Sequence, residues 1–320
     1  MTEPVPRMRF GVHSGQQYES YDEMLRLWQC AEELGYDWCS VFDHLRPPMG
    51  GPAGPCFEGT TLLSALAAST RRIRCALMVA PVAWRHPAVL AALAATIDHV
   101  SDGRVELGIG VGGADLAHTQ YGLPRPSRAE RSGMLEETAA VLRGLWSGGP
   151  VSFAGRHYRL DDAHLRPAPV QARLPLVVGG VSDPVLRTAA RYGDVWNSLL
   201  AEPDRYRARS ARLDRACEEA GRDPARVRRS MTFRALLVED RAELPRELDR
   251  LRRRYPPDSP VWPEYLVFGT PAQCAEALWP YRELGVTDFV LGVRPPVDWR
   301  SVTLFADQVV PLLRGRRAAA

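Results

Sequence analysis

Glu33-Leu34-Gly35-Tyr36-Asp37-Trp38-Cys39-Ser40-Val41-Phe42 carries the end of an amphipathic helix, a glycine and then a short apolar run. The same order returns at Glu283-Leu284-Gly285-Val286-Thr287-Asp288-Phe289-Val290-Leu291. A shorter copy stands at Ala190-Arg191-Tyr192-Gly193-Asp194-Val195-Trp196-Asn197. Glycine ends a helix at little cost because it accepts the left-handed conformation just past the last turn. The apolar run after it suits a strand buried on both faces. Helix-to-strand units near the start, middle and end of one chain predict parallel βα repetition.

Working outward, strands are predicted at 9–13, 39–43, 73–80, 105–111, 176–180, 194–198, 230–238 and 288–293. Eight strands with helices between most of them predict an α/β fold, the (β/α)8 TIM barrel, as one domain over 1–320. Ser20-Tyr21-Asp22-Glu23 reads as a capping box opening the first helix, with Met24, Trp28, Ala31 and Leu34 on its apolar stripe. His86-Pro87 and Thr270-Pro271 open two more helices. Two stretches break the alternation and read as insertions after strands 4 and 7. Residues 150–173 predict a hairpin and loop, and residues 241–267, rich in Arg and Pro, a second excursion of the kind that covers a site.

Composition narrows the function. A hydrophobic fraction of 45% and a charged fraction of 25% suit an ordinary globular protein. No apolar stretch approaches the roughly 20 residues of a membrane span. The opening residues Glu3, Pro4, Pro6 and Arg7 lack a secretory core, so a cytoplasmic location is expected. A net charge of +3 and the single dense run Arg252-Arg253-Arg254, read as a solvated helix end, predict neither a nucleic-acid nor a membrane partner. The six cysteines show no CxxC pair, as for reduced thiols. All 41 basic residues are arginine, which excludes Schiff-base lysine chemistry. The seven histidines lack ligand spacing, so no metal is expected.

In such a barrel the active site lies at the carboxyl ends of the strands. That rule singles out His13, Ser14, Gln16 and Gln17 after the first strand and Asp43-His44 after the second. The third strand ends near Leu77-Met78-Val79-Ala80, and the fourth enters Gly108-Ile109-Gly110-Val111-Gly112-Gly113. That glycine run is a poor dinucleotide fingerprint, because Glu130, at the required distance, opens a helix instead of ending a strand. Close approach of backbone to a flat ligand suits it better. Val178-Gly179-Gly180-Val181-Ser182 leads into a helix and reads equally as a phosphate cradle or as a plain tight turn. His44 stands on a rim, where a histidine suits proton transfer, though a rim histidine is also commonly structural. His13 and His118 stay open, and His99 and His164 read as structural. Trp84, Trp196 and Trp262 either wall a planar site or simply pack.

Val41-Phe42-Asp43-His44-Leu45, Val79-Ala80-Pro81-Val82-Ala83-Trp84-Arg85-His86-Pro87, Leu107-Gly108-Ile109-Gly110, Val178-Gly179-Gly180 and Phe268-Gly269-Thr270-Pro271 resemble the luciferase-like monooxygenase superfamily. The likeness runs from Arg9 to about Leu313 and is strongest to its coenzyme F420-dependent branch. It implies an oxidoreductase passing a hydride between the deazaflavin C5 and a small-molecule substrate, with His44 as proton donor or acceptor and Asp43, a second catalytic residue, touching the cofactor ring. It further implies a non-prolyl cis peptide at Leu77–Met78, a ring contact by Met78, Ala80 and Trp196, and a ring edge at Gly110, Val111 and Gly112. The cofactor phosphate would meet Val178 through Ser182, and His13, Gly113 and Trp84 would face the substrate. A homodimer and a separate cofactor reductase are the partners implied. Two alternatives remain: an FMN monooxygenase using O2 and reduced flavin from a partner reductase, and a catalytically inactive cofactor-binding or interaction protein. Sugar-phosphate dehydrogenases of this branch carry a glutamate where Gly113 stands, and phosphate-binding lysines that this chain lacks. Sugar-phosphate oxidation therefore loses support.

Overall fold

In a computed structural model, which describes residues 7–48, 53–113, 117–254 and 266–315, the chain alternates strands and helices. The first half runs β1 (Arg9–Ser14), α1 (Tyr21–Glu33), β2 (Trp38–Val41), α2 (Gly59–Ala68), β3 (Arg74–Pro81), α3 (Pro87–Val100), β4 (Val105–Gly110), α4 (Ala117–Gln120) and α5 (Arg128–Leu145). A hairpin, β5 (Val151–Ala154) and β6 (Arg159–Ala163), follows. Then come β7 (Leu176–Gly179), α6 (Asp183–Tyr192), β8 (Val195–Leu199), α7 (Pro203–Glu219), β9 (Arg228–Leu237), α8 (Leu244–Arg254), β10 (Leu266–Gly269), α9 (Pro271–Glu283), β11 (Val286–Val293) and α10 (Trp299–Leu304). Strands β1, β2, β3, β4, β7, β8, β9 and β11 pair in parallel in that order, and β11 closes the ring on β1. This is the (β/α)8 barrel that the repeat predicts.

The local signals act as expected. Ser20 with Glu23, Ser127 with Glu130, and Thr270 with Gln273 form capping boxes at α1, α5 and α9. Gly35 and Gly285 stop their helices at φ +76° and +87°, the left-handed geometry that only glycine adopts cheaply. Gly193 works differently. Its φ is −72°, and a Cβ there would sit 2.8 Å from the carbonyl oxygen of Ala189. It is needed for clearance, so the third copy of the motif has the same spelling and a different cause.

The two insertions are a hairpin, as predicted, and a helix followed by β10, which pairs in parallel with the end of β9, Arg234 to Leu237. Trp262 lies outside the described residues. No helix among the described residues is long and apolar enough to cross a membrane. No disulfide joins any of the six cysteines, and the described residues hold no metal-ligand cluster.

The barrel interior is layered. At the amino-terminal end Arg9 binds Glu106 (2.7 Å) and Asp288 (3.0 Å), Arg74 binds Glu106 (2.5 Å) and Arg228 binds Asp288 (2.7 Å), which plugs the bottom with paired charge. Above it Trp38, Ala76, Met78 and Val290 form an apolar floor. Gly11 makes room for the Trp38 indole, since a Cβ there would lie 2.3 Å from its ring. The space above that floor is the cavity described next.

Candidate active site

A cavity of about 660 Å³ opens at the carboxyl ends of the strands. Its polar lining includes His13 and Gln17 within or beyond β1, His44 after β2, Asn197 and Ser198 on β8, Arg209 on α7, Thr232 and Arg234 on β9, and Arg294 after β11. Phe42, Met78, Val79, Pro81, Val111 and Leu199 supply apolar wall, and Gly110, Gly112, Gly113, Gly179, Gly180 and Val181 add open backbone. The sequence-predicted residues His13, His44, Met78, Gly110 to Gly113 and Gly179 to Val181 therefore converge on one space.

His44 is held from both sides by rings. Phe42 lies 5.3 Å away and Trp84 6.0 Å, each edge-on. Gln16 fixes this turn, accepting from the Phe42 amide (3.0 Å) and donating to its carbonyl (2.7 Å). Trp84 donates from Nε1 to Nε2 of His118 (3.4 Å), whose Nδ1 then donates to the Pro124 carbonyl (2.6 Å). Both nitrogens of His118 are thus spent on structure, and it supports Trp84 instead of facing the cavity. His13 places Nδ1 2.8 Å from the Ser40 hydroxyl. Burial, then Arg294 and His44, push its pKa down to about 4, so it is neutral at pH 7.

Several expected contacts are not made. Asp43 is fully buried and lies off the cavity, its carboxylate bound by Arg85 (2.5 and 3.1 Å), which also binds Glu58 (2.6 Å). Burial pushes the Asp43 carboxyl up, and Arg85 pulls against it. The residue braces the His44 turn. Trp196 faces outward, packed on Tyr206 (5.8 Å) with Nε1 donating to the Gly180 carbonyl (2.7 Å). Leu77, Ala80 and Val178 are buried on the outer side of their strands or between them and do not line the cavity. Ser182 and Trp84 are also absent from its lining.

The cis peptide stands one bond later than expected, at Met78–Val79. Here Leu77 pairs with Leu107 but Ala80 with Ile109, so β3 carries one extra residue, a bulge. The bulge aims Val79 at the glycines of the neighbouring strands. A Cβ on Gly110 would lie 2.7 Å from Val79, one on Gly179 3.0 Å, and one on Gly108 2.4 Å from the Leu77 carbonyl oxygen. These glycines give way to protein: the clearance expected for a flat ligand at Gly108 and Gly110 is taken by Leu77 and Val79, and Gly179 likewise makes room for Val79. Gly113 has nothing within 4 Å of its would-be Cβ.

The turn after β7 is also more occupied than its spelling suggests. The Gly180 amide donates to the Asn197 carbonyl (3.1 Å), which removes it from the candidate phosphate donors. Gly180 adopts φ +128°. Ser182 caps α6 without a side-chain hydrogen bond, and Asp183 turns its carboxylate to Arg212. Val181 and Ser182, at the N-terminus of α6, are left as the candidate amides for an anion, and of the two only Val181 lines the cavity. Gln17 Oε1 and Ser198 Oγ are buried without a partner among the described residues, and both residues line the cavity. The strand-end rule reaches Gln17 but not Ser198, and that either oxygen lacks a partner depends on what the opposite strands supply.

The family described as luciferase-like monooxygenase matches residues 7–265. An F420-dependent glucose-6-phosphate dehydrogenase of Beutenbergia cavernae is 29% identical over 97% of this chain and 98% of its own. The pyrimidine monooxygenase RutA of Acinetobacter baylyi is 30% identical over 70% of this chain and 61% of its own. The structure of an F420-dependent secondary alcohol dehydrogenase with an F420–acetone adduct superposes with a TM-score of 0.81 at 22% identity, over 96% of this chain and 99% of that one.

Proposed function

The chain belongs to the luciferase-like monooxygenase family, and on that premise we propose that it is an F420-dependent oxidoreductase. It exchanges a hydride with a small organic substrate while His44 handles the coupled proton. The observation that carries this reading is the convergence of His44, the β3 bulge and the amides after β7 on one cavity. F420-dependent relatives that match the chain over nearly its whole length support the choice of cofactor.

The residues fit such a group. The cavity is walled on one side by apolar Met78, Val79 and Val111, suited to a flat ring. The amides of Val181 and Ser182 at a helix N-terminus suit a phosphate, and the orphaned Gln17 and Ser198 oxygens await polar partners. When bound, a deazaflavin supplies two-electron hydride chemistry at its C5. The chain does the rest. Phe42 and Trp84 orient the His44 imidazole, which gives or takes a proton at a ring nitrogen. His13, neutral because burial lowers its pKa to about 4, positions by hydrogen bonding. The apolar wall excludes water.

His44→Ala is expected to cut turnover by about 10²–10⁴-fold while F420 still binds, read by steady-state kinetics and fluorescence quenching. Near-intact activity would move the role elsewhere. The RutA relative favours a second reading, an FMN monooxygenase. A preference for FMN by tenfold or more in the same titration would establish that reading, and binding of neither would leave an interaction protein.

A further inference from the structure

Gln16 and Gln17 follow β1 side by side, and the fold spends them differently. Gln16 is fully buried, with Oε1 accepting from the Phe42 amide (3.0 Å) and Nε2 donating to the carbonyls of Phe42 (2.7 Å) and Phe57 (3.1 Å). Gln17 is 5% exposed and lines the cavity, yet its buried Oε1 has no partner among the described residues. Backbone pairing sets its place. Gln17 forms an antiparallel bridge with Cys56, the Tyr18 amide donates to the Pro55 carbonyl (3.0 Å), and the Phe57 amide donates to the Gln16 carbonyl (3.4 Å). Gly15 leaves the side chain its room, since a Cβ there would lie 3.3 Å from Gln17 Oε1. A buried oxygen held without a donor costs the folded chain free energy, which a donor arriving with a ligand returns.

In the closed ring β1 stands four strands from β7, so Gln17 and the Val181 turn lie on opposite sides of the mouth. His13 on β1 and His44 after β2 share the Gln17 side. Ser198, whose Oγ is likewise unpaired, stands on β8 beside β7 and so on the side of the cofactor phosphate. The chemistry of the missing partner follows from Gln17 itself. An amide oxygen only accepts hydrogen bonds. A carboxylate or phosphate oxyanion brings acceptors alone and cannot answer it. An ammonium group donates, but among the described residues no carboxylate lines the cavity to offset its charge. A neutral O–H or N–H remains. A site that hydrogen-bonds such a group also rejects the analogue lacking it, because the buried oxygen is then left unpaired.

We propose that Gln17 determines substrate choice, its Oε1 accepting a hydrogen bond from a neutral hydroxyl or N–H group of the substrate on the side of the cavity where His44 handles the proton. The inference rests on the cavity being the oxidoreductase site. It assigns Gln17 to the substrate and leaves the cofactor to the β3 bulge and the turn after β7.

Cyclohexanol and cyclohexanone serve as probes, alike in ring and size, of which only the alcohol donates. Each is titrated into the protein with and without F420, and binding is read from the imidazole NMR signals of His13 and His44. The wild type is expected to bind cyclohexanol about fivefold or more tightly than cyclohexanone in both states. Gln17→Met, similar in length but without the amide, should bring the two probes within about twofold of each other. Its melting temperature should be no lower than that of wild type, because the oxygen it removes had no partner, and its F420 affinity should stay within about twofold. In wild-type protein carrying carbon-13 at glutamine Cδ, the Gln17 signal should move with the alcohol and not with the ketone, a measurement that serves if Gln17→Met does not fold. Equal affinity of the wild type for both probes, or no saturation by the alcohol, would overturn the proposal and leave the oxygen to solvent. A preference that survives in Gln17→Met would overturn it too. So would a preference that disappears once F420 is bound, because the cofactor would then occupy Gln17. Failure of the wild type to bind F420 or FMN would sink the oxidoreductase reading alone, since the titration without cofactor still decides what Gln17 selects.

Discussion

Gly110→Ala tests the assignment of the strand glycines to Val79. Gly110 does not sit at positive φ, so alanine meets no backbone penalty, and the whole effect comes from its Cβ at 2.7 Å from Val79 Cγ2. Carbon atoms rest at about 3.5–4.0 Å, so one group must move by roughly 1 Å. Overpacking of this kind costs about 1–3 kcal/mol. Val79→Ala removes the methyl that collides, so the double variant should be less destabilised than the sum of the singles by about 1–2 kcal/mol. Gly108→Ala should resist such rescue, because its Cβ would lie 2.4 Å from the Leu77 backbone oxygen. Gly179→Ala, at 3.0 Å, should cost least of the three. Urea unfolding at constant m-value measures all of these. If Gly110→Ala costs under about 0.5 kcal/mol, or its effect adds simply to that of Val79→Ala, the reasoning fails. A stable Gly110→Ala that has lost only cofactor affinity would return the glycine to the ligand.

Asp43→Asn should lower the unfolding free energy by about 3 kcal/mol, the scale for breaking a buried ion pair; unchanged stability with weakened cofactor binding would put the carboxylate back on the ligand. Ser182 sits at φ −80°, ψ 154°, which proline adopts without strain, so Ser182→Pro deletes one amide cleanly. It should weaken cofactor about tenfold or more, the scale of a hydrogen bond to a charged group, whereas Ser182→Ala should do almost nothing; equal binding by both would reduce this turn to a plain connection. In Glu106 burial pushes the carboxyl up, but Arg9 and Arg74 prevail and hold it at about 2. Its folded pKa lies below the unfolded value near 4.3, so its contribution is complete above that value and fades as pH falls toward 2. Acid unfolding of Glu106→Gln should therefore be flatter between about pH 4 and 2 than that of wild type; parallel curves would refute the pairing.

The barrel was legible because its signals are local. Capping boxes at Ser20, Ser127 and Thr270 lie within four residues, and helix stops at Gly35 and Gly285 need only one residue's φ. Eight strand positions follow from such punctuation, and the rule that barrel sites sit at strand ends then reaches His44 and the glycine turns. What local pattern cannot supply is the neighbour across the ring. Asp43 reads as a site residue until Arg85 and Glu58 fold against it. Gly110 reads as a ligand's clearance until the bulge in β3 upsets the two-residue alternation and sends Val79 inward. Gly180 offers an amide in the sequence, and Asn197 takes it in the structure. Arg234 and Arg294 are sixty residues apart in the chain and line one cavity because β9 and β11 pair. Periodicity tells which side chains share a face; closure of the sheet decides which face is inside and what stands opposite, and those two facts set the chemistry of the cavity.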